Sequence, residues 1–240
     1  MAGKRCLFCG QAVEAWRVHR LRSPGAAEVR LRMAIVGSNF DRFGCPHCGS
    51  LDRERHLALF MERLGLLASI KGGSVLHMAP ERHLSALIRK LSPSTYIMGD
   101  LTPRHEVVRQ LDLQQLAFPD ATFDLIICNH ILEHVADPAL ALREMYRVLK
   151  RGGRALCQTP YASRLARTFE DPLLQSPEDR VLFYGQEDHV RVFGLDIEQR
   201  IRDAGFIGRL VPHAEVLPGL DPEQLGINEK EPFFDFVRPR

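Results

Sequence analysis

Beyond residue 50 the apolar positions follow two alternating periods. Leu57, Phe60, Met61 and Leu64 fall at i, i+3, i+4 and i+7, which predicts a helix over about Leu51–Ile70 with one apolar face. Gly72 and Gly73 break that pattern, and SVLHMA then reads as a short strand. A second amphipathic stretch, Glu81 to Leu91, carries Leu84, Leu87, Ile88 and Leu91 on one face. TYIMGD, ending at Asp100, and VVRQLDL, ending near Asp112, read as the next two strands. FDLIICN is almost wholly apolar, as a central strand buried on both faces must be. Pro138 opens a helix whose inner stripe is Leu142, Met145, Tyr146 and Leu149, and KRGG closes it. RALCQTP, a helix over Asp196–Ala204, GFIGRLV and FFDFVRP complete the series. Seven strands alternating with helices predict a doubly wound, mostly parallel α/β sheet.

Two segments interrupt the rhythm. Residues 160–194 are polar and proline-bearing, yet contain Phe169, Phe183, Tyr184 and Phe193, which predicts an ordered cover over the domain. The first 50 residues hold CLFCG and CPHCG, two C-x2-C-G pairs (Cys6 and Cys9, Cys45 and Cys48) separated by 35 residues. Each pair makes a tight turn that presents two sulfurs to one ion, and Gly10 and Gly49 permit the backbone that follows. Four thiolates form the closed tetrahedral set of a structural zinc site. Between the pairs, EVRLRMAIV (Glu28 to Val36) alternates and reads as a strand. The expected organisation is a zinc ribbon over 1–50, a connecting helix over 51–72 and an α/β domain over 73–240. The cover is an insertion in that domain at about 160–194.

Composition narrows the class. The chain has 240 residues, 45% apolar and 26% charged, with a net charge of +2, so no general nucleic-acid field is implied. No apolar run approaches the roughly 20 residues that span a bilayer. A cytoplasmic protein without a membrane segment is the expectation. In that compartment Cys128 and Cys157, in apolar runs, are inert core residues.

In an open parallel sheet, ligands bind beyond the carboxyl ends of the strands. Three acids gather there: Glu81 after the first strand, Asp100 at the end of the second and Asp112 after the third. Asp100 lies 22 residues after Met78, where such folds place an acid to hold ribose hydroxyls. Asp112 can accept from an adenine amine. A dinucleotide needs glycines close to its pyrophosphate, and Ala79-Pro80-Glu81 offers few free amides and an anion. Pro80 is expected to pre-set the turn, with Ala79 keeping it narrow. A cationic cofactor without phosphate, S-adenosylmethionine (SAM), fits better.

With these residues in place, the chain resembles the class I SAM-dependent methyltransferases of the small-molecule type over Ser74 to Val211, most clearly in FPDATFDLIICNHILEHVADPALALREMYRVLKRGG, Phe118 to Gly153. The family's acid-x-Gly-x-Gly-x-Gly turn is replaced: His77 stands at the first acid, Ala79 at the first glycine and Glu81 near the second. A bacterial subset with an A-P-E turn looks similar and shares a late block matched by Glu170-Asp171, Arg180 and GQEDHVR, Gly185 to Arg191. The resemblance implies a Rossmann-like methyltransferase sheet. It implies a SAM site formed by His77, Ala79, Pro80, Glu81, Asp100, Leu101, Asp112, Leu113, Asn129 and His130.

Methyl transfer is an in-line displacement whose demands are positioning and, for a hydroxyl or carbon acid, a base. His130 and His189 are the candidates for catalysis. His134 is expected to pack structurally, although His130, Glu133 and His134 could also ligate a metal. Arg191 either meets substrate or pairs within a network of Glu170, Asp171 and Asp188. The expected function is methyl transfer to a small-molecule or sugar-containing (glycan-type) acceptor. One alternative is RNA methylation with the ribbon as grip, motivated by Trp16, Arg17, His19, Arg20 and Arg22. Another is a non-catalytic SAM-binding protein of the same fold. The acceptor atom and the oligomeric state leave no signature.

Overall fold

A computed structural model describes residues 3–21 and 24–240. In chain order it contains α1 (Pro24–Met33), β1 (Ile35–Val36), α2 (Asp52–Arg63), α3 (Leu66–Ile70), β2 (Ser74–Met78), α4 (Arg82–Lys90), β3 (Thr95–Asp100) and β4 (Arg109–Gln110). There follow β5 (Phe123–Cys128), α5 (Pro138–Val148), β6 (Leu149–Leu156), β7 (Tyr161–Ala162), α6 (Pro177–Tyr184), α7 (Ile197–Asp203), β8 (Ile207–Val211), α8 (His213–Val216), α9 (Pro222–Leu225) and β9 (Phe233–Val237). No helix among the described residues is long and apolar enough to cross a membrane.

Seven strands form one sheet in the order β4-β3-β2-β5-β6-β9-β8. The first five run parallel, β9 is antiparallel to β6, and β8 is antiparallel to β9. Alternate side chains of each central strand feed two cores. Leu76, Ile126 and Cys128 face α5 and α7 in the larger core, whereas Val75, Leu125 and Ile127 meet α2, α3 and α4 in the other. The amino edge is tied by Asp124, which accepts from Ser74 N and Lys150 Nζ, both at 2.8 Å. Met78 is level with Gly99 on β3 and Cys128 on β5, so three strand ends arrive together at the carboxyl edge.

Four sequence expectations need correction. EVRLRMAIV is mostly helix, because Ala26 and Val29 pack one turn apart while Leu31 points to solvent, and only Ile35 and Val36 remain extended. The long 51–70 helix is two helices: Gly65 takes φ 70° and stops the first, leaving Leu64 on the surface. VVRQLDL pairs with β3 only through Arg109 and Gln110, an exposed edge with little to bury. KRGG lies within β6, since the chain turns at Val148 and the strand starts directly at Leu149.

The N-terminal part repeats one turn twice. Gly10 N donates to Cys6 O and Gly49 N to Cys45 O, at 2.9 and 3.0 Å, and both glycines have positive φ. This ribbon docks on the C-terminal stretch as well as on α2. Trp16 is buried, stacks with Arg55 at 4.3 Å and donates Nε1–H to Glu223 O at 2.8 Å. Arg55 is itself fully buried and donates to the carbonyls of Ser50, Arg42 and Gly226. Lys4 and Arg42 both pair with Glu223. The segment between the cysteine pairs reaches further: β1 pairs antiparallel with β7, and α1 packs on α6 of the cover.

Candidate active site

The rebuilt turn after β2 is organised around a charge. Ala79, rather than the proline after it, adopts the left-handed conformation, at φ 44°, and its N–H donates to Gly99 O at 2.7 Å. An alanine held there costs on the order of 1 kcal/mol, strain of the kind found at ligand sites. Pro80 follows, and Glu81 opens α4. The Glu81 side chain folds back to the strand: Oε2 lies 2.7 Å from His77 Nε2, and Oε1 accepts from Asn129 Nδ2 at 3.2 Å. His77 Nδ1 lies 2.8 Å from Tyr96 Oη. Burial pushes the Tyr96 hydroxyl up to about 12, so Tyr96 stays a neutral phenol whose oxygen can accept Nδ1–H while Nε2–H donates to the carboxylate. Burial also pushes the Glu81 carboxyl up, but the His77 hydrogen bond and charge outweigh it and hold Glu81 below its ordinary range. The result is a fixed carboxylate at the carboxyl end of β2, within reach of the β5 turn.

Along the same edge, Asp100 Oδ1 accepts from Thr102 N and Asp112 Oδ1 from Gln114 N, each at 2.8 Å. Leu111 N donates to Asp100 O, so the two acidic turns are neighbours. Leu101 is exposed, whereas Leu113 is buried in the larger core.

The β5 turn leads to the second group. His130, at φ 53°, projects from the turn with its N–H on Gln158 O at 2.7 Å. It lines a cavity of about 260 Å³ together with Glu133, His134, His189, Arg53 and Phe40. Glu133 Oε1 lies 3.5 Å from His130 Nδ1 and 3.9 Å from His134 Nε2, and the rings of His134 and His189 meet at 4.8 Å. Burial pushes Glu133 up, but its hydrogen bond to His130 and the charges of His130, His189 and His134 bring it down to about 2. Burial lowers His189 below the ordinary imidazole value, although Glu133 opposes the shift. A neutral imidazole beside a permanent carboxylate can accept a proton.

Thus the two histidines expected to catalyse share one cavity, although they stand 59 residues apart in the chain. Arg191 does not face that cavity as a free cation. It ion-pairs with Glu170 at 2.8 Å and donates to the carbonyls of Leu132, Val135 and Ala136, clamping the cover to the β5 turn. Sequence reasoning missed Tyr96, Arg53 and the contribution of Arg30 and Phe40 from the segment between the cysteine pairs. Tyr96 had a signal, a polar-tipped aromatic opposite Val75 in the paired strand and so diagonal to His77 on the same face, but the others are brought in only by tertiary docking.

The four cysteines converge. Cys6 and Cys48 sulfurs lie 3.7 Å apart and Cys9 and Cys45 sulfurs 3.9 Å, with all four within 4.8 Å of one another. A tetrahedron of sulfurs about 2.3 Å from a central zinc has edges of roughly 3.8 Å, so the set fits such an ion. Cys128 and Cys157 are buried, and burial raises both thiols. Of the proposed basic grip, Trp16 is buried in the ribbon core, and the exposed Arg17 donates to Cys45 O at 2.9 Å. His19 sits against Phe40 and Phe43, and Arg22 lies outside the described residues.

The sheet is doubly wound and mostly parallel, with seven strands and acids beyond its carboxyl edge, the Rossmann-like architecture the sequence predicted. Comparison with known proteins points the same way. Residues 71–157 match the family model described as a methyltransferase domain. The uncharacterized methyltransferase YcgJ of Bacillus subtilis is 37% identical over 82 residues, 34% of this chain and 30% of that protein. The ubiquinone/menaquinone biosynthesis C-methyltransferase UbiE of Cellvibrio japonicus is 45% identical over 64 residues, 25% of this chain and 26% of that protein. The chain therefore spans less than a third of the length of these relatives, at 30% and 26%. The crystal structure of YcgJ aligns with a TM-score of 0.45 and 27% identity, covering 61% of this chain and 69% of that one. Over residues 71–157 this chain is thus similar to a methyltransferase domain.

Proposed function

We propose that this protein transfers the sulfonium methyl of SAM to a small-molecule or sugar-containing acceptor bound in the cavity beneath the cover. The observation that carries the reading is the Glu81 carboxylate, fixed between His77 and Asn129 at the carboxyl end of β2. It supplies the negative charge that the usual acid of the first turn would have supplied to the cofactor's ammonium group. Asp100 serves the ribose hydroxyls and Asp112 the adenine amine. SAM brings an activated methyl group on sulfur, so the chain has only to align, desolvate and deprotonate the acceptor. His130 is the base, and Glu133 orients it and balances the imidazolium formed when it takes the proton, with His189 on the same cavity wall.

The cysteine cluster holds a structural zinc ion in this reading, stapling a ribbon too small to bury its own core. Four retained thiolates and two reduced core cysteines favour a cytoplasmic setting. An RNA acceptor gripped by the ribbon has less support, since Trp16 is buried and unavailable for stacking on a base. A merely SAM-binding role leaves the imidazoles of the cavity without a task.

Thermal shift and calorimetry with SAM and S-adenosylhomocysteine test the reading. Saturable binding of both is expected, followed by methyl-donor consumption with members of a hydroxyl-bearing metabolite and nucleotide-sugar panel. Absence of any response to either ligand would refute it.

A further inference from the structure

Glu133, His134 and His189 each offer one ligand atom, and the three atoms lie within 4.8 Å of one another. A carboxylate with two imidazoles suits a divalent first-row transition ion and leaves coordination positions open, whereas magnesium and calcium favour all-oxygen sets. Three features go beyond proximity. His134 Nδ1 lies 3.1 Å from Asp188 O, so Nδ1–H donates to that carbonyl and the lone pair is left on Nε2, the nitrogen nearer Glu133. Metal-bound histidines make this outer bond. Glu133 is 2% exposed, yet its Oε2 has no hydrogen-bond partner among the described residues. A buried charged oxygen without a partner is costly unless a cation meets it. Finally, the backbone is built to bring the three together: Val190 N donates to Glu133 O at 3.0 Å, and the Arg191 clamp holds the turn and the cover in register.

We propose that Glu133, His134 and His189 form a second metal site, distinct from the cysteine cluster, which holds a divalent first-row transition cation on the wall of the acceptor cavity. An acceptor oxygen, hydroxyl or carboxylate, would fill an open position. The cation would then select acceptors that present such an oxygen and would ease deprotonation of a hydroxyl. His130 stands beside the site, its Nδ1 3.5 Å from Glu133 Oε1, and its Nε2 has no hydrogen-bond partner among the described residues and lies 4.0 Å from Glu231 Oε1.

Cobalt(II) titration of the full-length chain under reducing conditions tests the site, because the two donor sets differ spectroscopically. The expected result is one equivalent with intense thiolate-to-cobalt charge transfer and a second with only weak d–d bands. His134→Asn and His189→Asn should each weaken the second equivalent by about tenfold or more. The charge-transfer band should persist in both variants and thereby report a folded ribbon. In the unmutated protein the second equivalent should also give paramagnetically shifted histidine ring protons, a readout that does not depend on the variants folding. A single thiolate-bound equivalent, or a second equivalent without shifted histidine resonances, would overturn the proposal. Calorimetry with SAM on the same samples reports the cofactor reading separately, so failure of one does not imply failure of the other.

Discussion

Two glutamates at the carboxyl edge of the sheet, Glu81 and Glu133, begin from the same predicament. Both are buried, and both are drawn below the usual carboxylate range by imidazoles that overcome the cost of burial. They differ in what remains unsatisfied. Glu81 has a partner on each oxygen, His77 at 2.7 Å and Asn129 at 3.2 Å. Glu133 has imidazole nitrogens at 3.5 and 3.9 Å around one oxygen and no partner for the other among the described residues. A carboxylate with every lone pair placed acts as a fixed charge toward something beyond it. A carboxylate left open among three imidazoles is a place where something binds or a proton moves. In the proposed function, the first organises a cofactor edge and the second an acceptor cavity.

The largest effect should come from breaking the closed pair. His77→Ala leaves Glu81 buried with only Asn129, and removing one partner of a buried ion pair costs about 3–5 kcal/mol. Urea unfolding should show that loss, and His77→Gln, which can still donate, should recover part of it. A change below about 1 kcal/mol would mean that Glu81 finds water instead and is not a closed site. Next, Glu133→Gln should lower turnover by roughly 100-fold or more while leaving SAM affinity within about twofold, as removal of proton-transfer support does. Equal losses of turnover and SAM affinity would erase the distinction between the two carboxylates. A smaller effect is expected from Glu81→Gln, which should weaken SAM about tenfold, or ~1.4 kcal/mol, by calorimetry. 5′-Methylthioadenosine, which lacks the ammonium-bearing chain, should bind that variant as before. Equal weakening of both ligands would place Glu81 away from the ammonium.

The contrast also explains which parts of the molecule were legible in the chain. FDLIICN had to be a central strand because nothing in it tolerates water, and the cysteine spacing with its trailing glycines left one arrangement for the sulfurs. The exchange of His77 and Glu81 was readable as a displaced acid, since a residue three positions past the strand end can bring its side chain back over that end. By contrast, EVRLRMAIV alternates like a strand, yet helix propensity from the adjoining Ala26 and Ala27 and docking on α6 decided its form. The cavity was hidden for a related reason. Arg30 and Phe40 reach it from a segment more than 80 residues before His130, through packing of α1 and β1 on the cover, and no local pattern encodes that meeting. Arg55 shows the same limit: on an apolar helix face a fully buried guanidinium is unexpected until four carbonyls and Trp16 surround it.

Asp52 provides the control for the whole comparison, a buried carboxylate with no hydrogen-bonded imidazole. Its Oδ2 accepts from Asn39 N, Oδ1 has no hydrogen-bond partner among the described residues, Arg55 faces it with opposite charge and Glu231 with like charge, and Arg30 is also in range. Burial pushes this carboxyl up to about 7, and the Asn39 bond and Arg55 only partly offset it. A folded pKa above the unfolded value of 3.8 means that the native state binds this proton more tightly. The stabilising contribution is therefore fully present below about pH 4 and is lost as pH rises through about 7. Asp52→Asn keeps an acceptor for Asn39 and removes the ionisation. Urea unfolding at several pH values should show wild-type stability falling relative to the variant across that window, leaving the variant ahead above pH 7. A difference that stays constant with pH would show that Arg55 and Arg30 neutralise Asp52 as fully as His77 neutralises Glu81, and the role assigned to imidazoles at the two glutamates would lose its contrast.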